Sequence, residues 1–564
     1  MSTHPATDLL AKKLIDQQSN AASYFAGYER LAITEIFRSL DMCAYAFRMA
    51  PNREYLLQHD QVRHWMLAGA ASALKPLLKS VAKVDGPMPW GPSSAQWTGI
   101  VEGYLLRCGQ LNWLLRLASL EKYGLSQTTL SASKIRIEVA SDELESADRE
   151  SLNWLGSQKL DATGVQRELD LAKGQLKRIR RRLDKKSGLD MGGWFIRYSG
   201  DDKLFERSRQ RVHNLEPIWH ETEALPDEVT IGGQTFREWK NACCLASAAV
   251  LHHLEFSTRL KAKHASVDLR NLLTMFIRRD DLERVWLERG LEPRLIGAVS
   301  QAMTLNYQSV EEVLQHHDTP LPFYVDLGRD FVLAPSLSAL LNPFAGVTKH
   351  LRSCYRSDWD RAVDGRESVF RADIATIFKE PRYVVLPSGI ALRRTDGSLL
   401  TDVDAVVQDR VSGTVALIQL KWHDIFGHSL RERESRKRNL LAANQWVERV
   451  ATWVGERSSR EIAKAFDMPT IECQQTNKPV ILVIARYAAR FSGTGVCDSR
   501  GAWLSWPELV RAATLNTHEV DILRHVATAF EGVNRNAWPG SDSWKAASLQ
   551  LRFPGLDVEV AVSG

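Results

Sequence analysis

Asp404, Gln419 and Lys421 are the residues of this sequence whose types and spacing could do chemistry together. Two apolar, β-branched runs, 400–408 and 415–422, flank a turn-forming segment from Asp409 to Thr414, the pattern of a β-hairpin. Strands place alternate side chains on one face, so Gln419 and Lys421 share a face. A hairpin folded about Val411 and Ser412 sets Asp404 roughly opposite Gln419. A carboxylate, an amide and an ammonium then meet at one end of an otherwise greasy hairpin. Charged groups among Val, Ile and Leu are disfavoured unless paired or bound to metal. A carboxylate and an amide carbonyl are hard oxygen ligands of the kind Mg²⁺ prefers. A lysine beside them can orient a water and offset developing phosphate charge. The bland alternative is a solvated strand end at Asp402 and Asp404, with Lys421 an edge-strand lysine that blocks aggregation.

Here the sequence resembles the PD-(D/E)XK nuclease superfamily, which carries an acidic residue on one strand and an acid-x-Lys on the next. Gln419-Leu420-Lys421 matches the Gln-x-Lys version of Mrr-like restriction endonucleases. The resemblance covers at most the last two-fifths of the chain. It implies a mixed sheet flanked by helices in αβββαβ order, with Mg²⁺ as cofactor and Mn²⁺ able to substitute. It further implies that Asp404 and Gln419 are metal ligands, joined by a backbone carbonyl near Leu420. Lys421 would orient the water that attacks phosphorus in line, leaving 5′-phosphate and 3′-hydroxyl ends. Gln in place of Glu removes one negative charge and should weaken metal affinity.

The elements that must position these residues can be read on either side. A helix is predicted from about Asp364 to Phe378, with Val369, Phe370, Ile374, Ile377 and Phe378 as its apolar stripe. Glu367 sits near its start, where the superfamily often carries a Glu; Asp364 and Asp373 compete for that role. A helix-start carboxylate stabilised by the macrodipole is the plain reading of Glu367. Strands are predicted at 383–386 and 390–392, a helix from about Asn439 to Gly455, and a final strand at 479–485. That last run is continuously apolar, as in a sheet covered on both sides. Asp402 is a spare ligand or supporting carboxylate, and Gln445 a polar residue beside the stripe of its helix that could face the site.

Directly after Lys421 comes a basic stretch with Arg431, Arg433, Arg436, Lys437 and Arg438, together with His423 and His428. Glu432 and Glu434 dilute it, and a solvated face with pairs such as Glu432–Arg436 is one reading. Contact with a nucleic-acid backbone is the other, since Arg and Lys on phosphates supply most nonspecific affinity. A second charged stretch spans 141–187, acidic from Asp142 to Glu150 and basic from Lys177 to Arg182. It reads first as an exposed helix or helical hairpin and second as a phosphate-binding arm.

The chain has 564 residues, 44% hydrophobic and 25% charged, ordinary for a globular protein of several domains. A net charge of +5 is too weak by itself to name a nucleic-acid partner. Seven Cys show no CxxC pair or metal-ligand spacing, which suits a reducing cytoplasm. Residues 1–20 lack a basic segment followed by an apolar one, and no run approaches a membrane span. The predicted architecture is multidomain and mostly helical before an α/β domain with a mixed central sheet. Its parts are a helical domain at 1–140, a helical middle region with the charged arm and small hairpins at 141–345, and the nuclease-like domain at 346–564. The pairs His252-His253 and His316-His317 read as structural, because adjacent helical residues point about 100° apart.

The expected function is a Mg²⁺-dependent DNA endonuclease, of the kind found in prokaryotic restriction or anti-phage defence. The helical region would bind DNA, form a homo-oligomer, or dock on a partner; with no Walker A motif, any ATP-driven step needs a separate ATPase subunit. The other class is a catalytically silent nuclease fold serving as a nucleic-acid-binding or scaffolding subunit. An RNA nuclease is a third reading, without an aromatic, strand-borne RNA motif to support it.

Overall fold

The computed structural model describes residues 4–49, 52–81, 88–139, 143–162, 165–190, 195–315, 320–328, 330–424, 430–466, 478–491, 497–516, 518–531 and 548–562. His316, His317, His428 and Cys473 lie outside the described residues. The chain divides into two compact units, each made of two segments. One comprises Met1–Arg116 with Lys159–Asp360, the other Leu117–Gln158 with Arg361–Gly564. The boundaries expected at 140/141 and 345/346 therefore fall inside segments. The reason is a non-local strand pairing: Ser126–Ser131 and Lys134–Val139 form a hairpin whose second strand runs parallel to Leu556–Val562. That sheet is completed by Ser548–Phe553. Strand partners hundreds of residues apart leave no local signature.

The first unit is mainly helical, as its three-and-four apolar spacing predicts. In the helix Glu29–Arg48, Ile33, Ile36, Phe37 and Leu40 are fully buried against Leu74, Leu77 and Leu105. Helices Arg53–Val81 and Ala95–Ser119 approach closely through Gly69 and Gly109; a Cβ on Gly109 would lie 1.8 Å from the Trp65 carbonyl oxygen. A hairpin turns at Gly232 and Gly233, with φ of +60° and +80°, as the Gly-Gly sequence demands. Its second strand leads into the helix Phe236–Lys263 through a Thr235–Glu238 capping box. His252 and His253 are buried in that helix, and burial pushes both imidazoles down to about 4. His253 lies between the Tyr198 hydroxyl and the Leu272 carbonyl, a structural role. Asp41 is buried in this unit, accepting from Thr274 Oγ1 at 2.6 Å and the Leu337 N–H at 2.8 Å.

The second unit contains the mixed sheet. Its strand order is Tyr383–Val385, Ala405–Asp409, Val415–Lys421, Val480–Ala485, Ala502–Ser505. The first three strands are antiparallel neighbours, and the last two run parallel to the third. Ala405, Val407, Ala416 and Ile418 pack against Phe370 and Ile374 of the helix Arg366–Ile377 and against Leu523 and Val526. Val406, Leu417 and Val483 pack against Trp446, Val447 and Val450 of the helix Ala443–Gly455. Both faces of the sheet are thus covered, which is why Val480–Ala485 reads as an unbroken apolar run. Val369, expected in the apolar stripe, is instead 37% exposed.

Among the described residues, no helix is long and apolar enough to cross a membrane.

Candidate active site

The run 400–408 is not one strand. Leu399–Val403 pairs with Ile390–Arg393 in a separate two-stranded sheet, and Ala405–Asp409 joins the central sheet. Asp404 is the residue at the bend between them. The turn beyond is closed by Gly413, at φ +74°, and by Val411 N–H on Asp409 Oδ1 at 2.9 Å. It fixes the register Ala405↔Ile418 and Val406↔Leu417, so the next pair outward is Asp404 with Gln419.

Those two side chains meet. Gln419 Nε2 donates to Asp404 Oδ2, which also accepts the Leu420 N–H at 2.7 Å. Asp404 and Gln419 are 4% and 8% exposed. Burial pushes the Asp404 carboxyl up to about 6. The Leu420 N–H, the Gln419 amide and the Lys421 ammonium pull it back, while the Glu367 carboxylate pushes it further. Lys421 is half-buried at the strand end, next to Ala485 in the parallel pairing, and has no ion-pair partner among the described residues. Glu367 is clamped by Arg371 of its own helix at 2.5 Å, and Arg371 Nε also donates to the Asp404 carbonyl at 2.5 Å. The structure thus gathers Asp404, Gln419, Lys421 and Glu367 around one bend. Asp373 is held by Arg486 at 2.6 Å, and Asp364 is exposed ahead of the helix.

Other expected residues stand apart. Asp402 is exposed, and its contribution is a backbone carbonyl that accepts Trp446 Nε1 at 2.6 Å. Gln445 is exposed and makes no hydrogen bond to Asp404, Gln419 or Lys421. The basic stretch is split by its helix, Leu430–Leu441. Arg433 and Lys437 are 4% and 3% exposed, because positions 433, 437 and 440 share the face that Leu440 buries. Arg433 lies over the Phe491 ring at 5.3 Å. Arg436 is half-buried, its Nε on the Asp424 carbonyl at 3.3 Å; Arg431 and Arg438 are exposed. The five therefore do not form one solvent-facing row.

Arg371 is the contributor that the sequence reading missed. Its signal was its position four residues after Glu367 on one helix. Arg486 is another. Its N–H donates to the Lys421 carbonyl at 2.8 Å, and its guanidinium lies over Trp422 at 4.5 Å, Phe370 at 5.3 Å and Trp506 at 5.4 Å. It fixes the strand end that carries Lys421. Arg366 pairs with Asp424 at 2.6 Å just beyond it. Burial pushes His423 down to about 4, helped by Arg436 and Lys421, so its imidazole is neutral near pH 7.

A hard divalent cation suits the oxygens left over. Asp404 Oδ1 and Gln419 Oε1 have no hydrogen-bond partner among the described residues, and a buried carboxylate gains from a cation. Turning the Gln419 amide over would present Oε1 where Nε2 now stands. Among the described residues, no three His, Cys, Asp or Glu converge as a metal site, so a cation here depends on the amide.

Comparison with protein-family models, with curated proteins and with solved structures finds no match to this chain.

Proposed function

We propose that the second unit is a metal-dependent DNA endonuclease of PD-(D/E)XK type, acting in restriction or anti-phage defence. The observation that carries this reading is the buried Asp404–Gln419 pair, with Lys421, unpaired among the described residues, on the same strand face as Gln419, at the rim of a mixed sheet sandwiched by helices. Asp404 and Gln419 would hold Mg²⁺, which supplies Lewis-acid polarisation of the scissile phosphate and stabilises the departing 3′ oxygen. Asp404 must be ionised for this, and its carboxyl, pushed up to about 6, is ionised in most molecules near pH 7. The Lys421 ammonium is available to a phosphate oxygen and to the water that attacks phosphorus, and it offsets charge that develops there. Arg371 holds Glu367 and the Asp404 carbonyl in place while this happens.

A second reading is favoured by one feature. Gln419 already satisfies Asp404 through its amide N–H, without a cation, as in a nuclease fold that has lost its chemistry and only binds nucleic acid. Incubation of the full chain with linear, circular, nicked and single-stranded DNA, in Mg²⁺ or Mn²⁺, separates the two. Cleavage lost in Lys421→Ala, with the fold retained, supports the nuclease. Wild-type protein that binds DNA and cuts nothing under any of these conditions supports the silent fold.

A further inference from the structure

The helix Val165–Lys186 of the first unit ends in a run of cations that the nuclease reading does not use. Lys177, Arg178, Arg180, Arg181, Lys185 and Lys186 are all exposed, and among the described residues none has an ion-pair partner. Residues four apart on a helix advance by about 40° and about 6 Å, so Lys177, Arg181 and Lys185 form a row about 12 Å long with Arg178 beside it. The opposite side is fixed: Ile179 and Leu183 pack on Leu204, Phe256 and Tyr198. The row therefore points outward from a helix whose rotation is set by the core.

The single anion between Lys177 and Lys186, Asp184, does not balance the row. Asp184 is committed to Arg259 at 2.6 Å and Lys263 at 3.4 Å, and the Arg259 hydrogen bond holds its carboxyl below the usual range. Arg182 is likewise committed to Asp201. A helix solvated for its own sake alternates acid and base at four-residue spacing. This one sets like charges at that spacing instead, in Lys177/Arg181, Arg178/Arg182, Arg181/Lys185 and Arg182/Lys186. The helix dipole accounts for Lys185 and Lys186 in the last turn, but not for the turns before it.

We propose that this row is a docking surface for the phosphate backbone of duplex DNA. The fate of the apolar face selects a phosphate backbone over other anions. An anchored peptide uses an apolar seat for its side chain, and an inserted lipid contact uses an apolar face. Here the apolar face of the helix is spent on the core, while backbone binding requires cations alone. The choice of DNA over RNA rests on the proposed function. The contact itself does not, since it needs neither Asp404 nor a metal.

The test is binding of a fluorescent 30-base-pair DNA duplex to the full chain in EDTA, followed by anisotropy across a salt series. The triple variant Lys177→Gln, Arg181→Gln, Lys185→Gln removes three cations. The slope of log Kobs against log salt should fall by about 2.7, at roughly 0.9 per phosphate contact, with affinity down about tenfold or more near 0.15 M salt. Lys12→Gln, Lys122→Gln, Lys464→Gln removes as many exposed cations elsewhere and should leave the slope within about one contact of wild type. Lys177→Arg with Lys185→Arg should bind as wild type does. An unchanged slope in the first triple variant overturns the proposal, as does an equal loss in the second. Tighter binding to duplex RNA or phosphatidylserine vesicles, lost in the first triple variant, overturns the choice of DNA. Since no divalent metal is present, loss of binding here and loss of cleavage in Lys421→Ala report on separate claims.

Discussion

Replacing Gln419 with Glu distinguishes a cation site from a merely structural hydrogen bond. In the wild type, Gln419 Nε2 donates to Asp404 Oδ2 with both side chains buried. In Gln419→Glu two carboxylates face each other in its place. Near pH 6 the pair can share one proton and keep a hydrogen bond, so the variant should be close to wild type there. As pH rises to about 8, holding that proton, or losing it with its hydrogen bond to a charged group, costs about 1.5–3 kcal/mol. For a unit of roughly 250 residues, 1 kcal/mol moves Tm by about 2–4 °C, which gives a loss of roughly 3–12 °C in EDTA. A cation held by both carboxylates removes the repulsion. At about one hundred times its Kd it stabilises by about 2.7 kcal/mol, enough to restore most of the loss. Differential scanning fluorimetry at the two pH values, in EDTA and in Mg²⁺, reads all four states. The reasoning would be refuted by a variant that loses stability in EDTA yet gains no more from Mg²⁺ than the wild type does. It would equally be refuted by a variant as stable as wild type near pH 8 without metal.

Other predictions are more local. Burial pushes the Asp41 carboxyl up to about 7, so the neutral acid is the form the fold prefers. The stability of the first unit is then full below about pH 4 and declines as pH rises through about 7, by at most about 4 kcal/mol for a shift near three pKa units. Urea midpoints should show this decline in the wild type and a much flatter profile in Asp41→Asn; equal slopes would show that Asp41 is not the titrating group. Gly109→Ala places a Cβ 1.8 Å from the Trp65 carbonyl oxygen, in a helix contact made of backbone on both sides. It should cost about 3 kcal/mol or more, beyond ordinary overpacking, whereas Gly103→Ala on the same helix meets nothing within 4 Å among the described residues and should be tolerated. Thermal denaturation of the pair checks this, and equal midpoints would contradict the close approach.

Much of the second unit was legible because its signals are local. Unbroken apolar runs marked the strands at 415–421 and 480–485. Three-and-four spacing marked the helix that carries Phe370 and Ile374. The short Gly413 turn set the hairpin register, and with it the meeting of Asp404 and Gln419. Period and turn chemistry act over a few residues, so a linear sequence carries them in full. What the fold alone decided depends on partners distant in sequence. The sheet changes at Asp404 because Leu399–Val403 finds Ile390–Arg393 while Ala405–Asp409 finds the central sheet, and this bend delivers the carboxylate. Arg433 and Lys437 turn inward because the helix that carries them is oriented by packing, which charge pattern does not fix. The two-segment units follow from pairing between residues near 135 and residues near 559. Apolar burial is non-directional: the sequence specifies which faces must be covered, and only the assembled chain specifies what covers them.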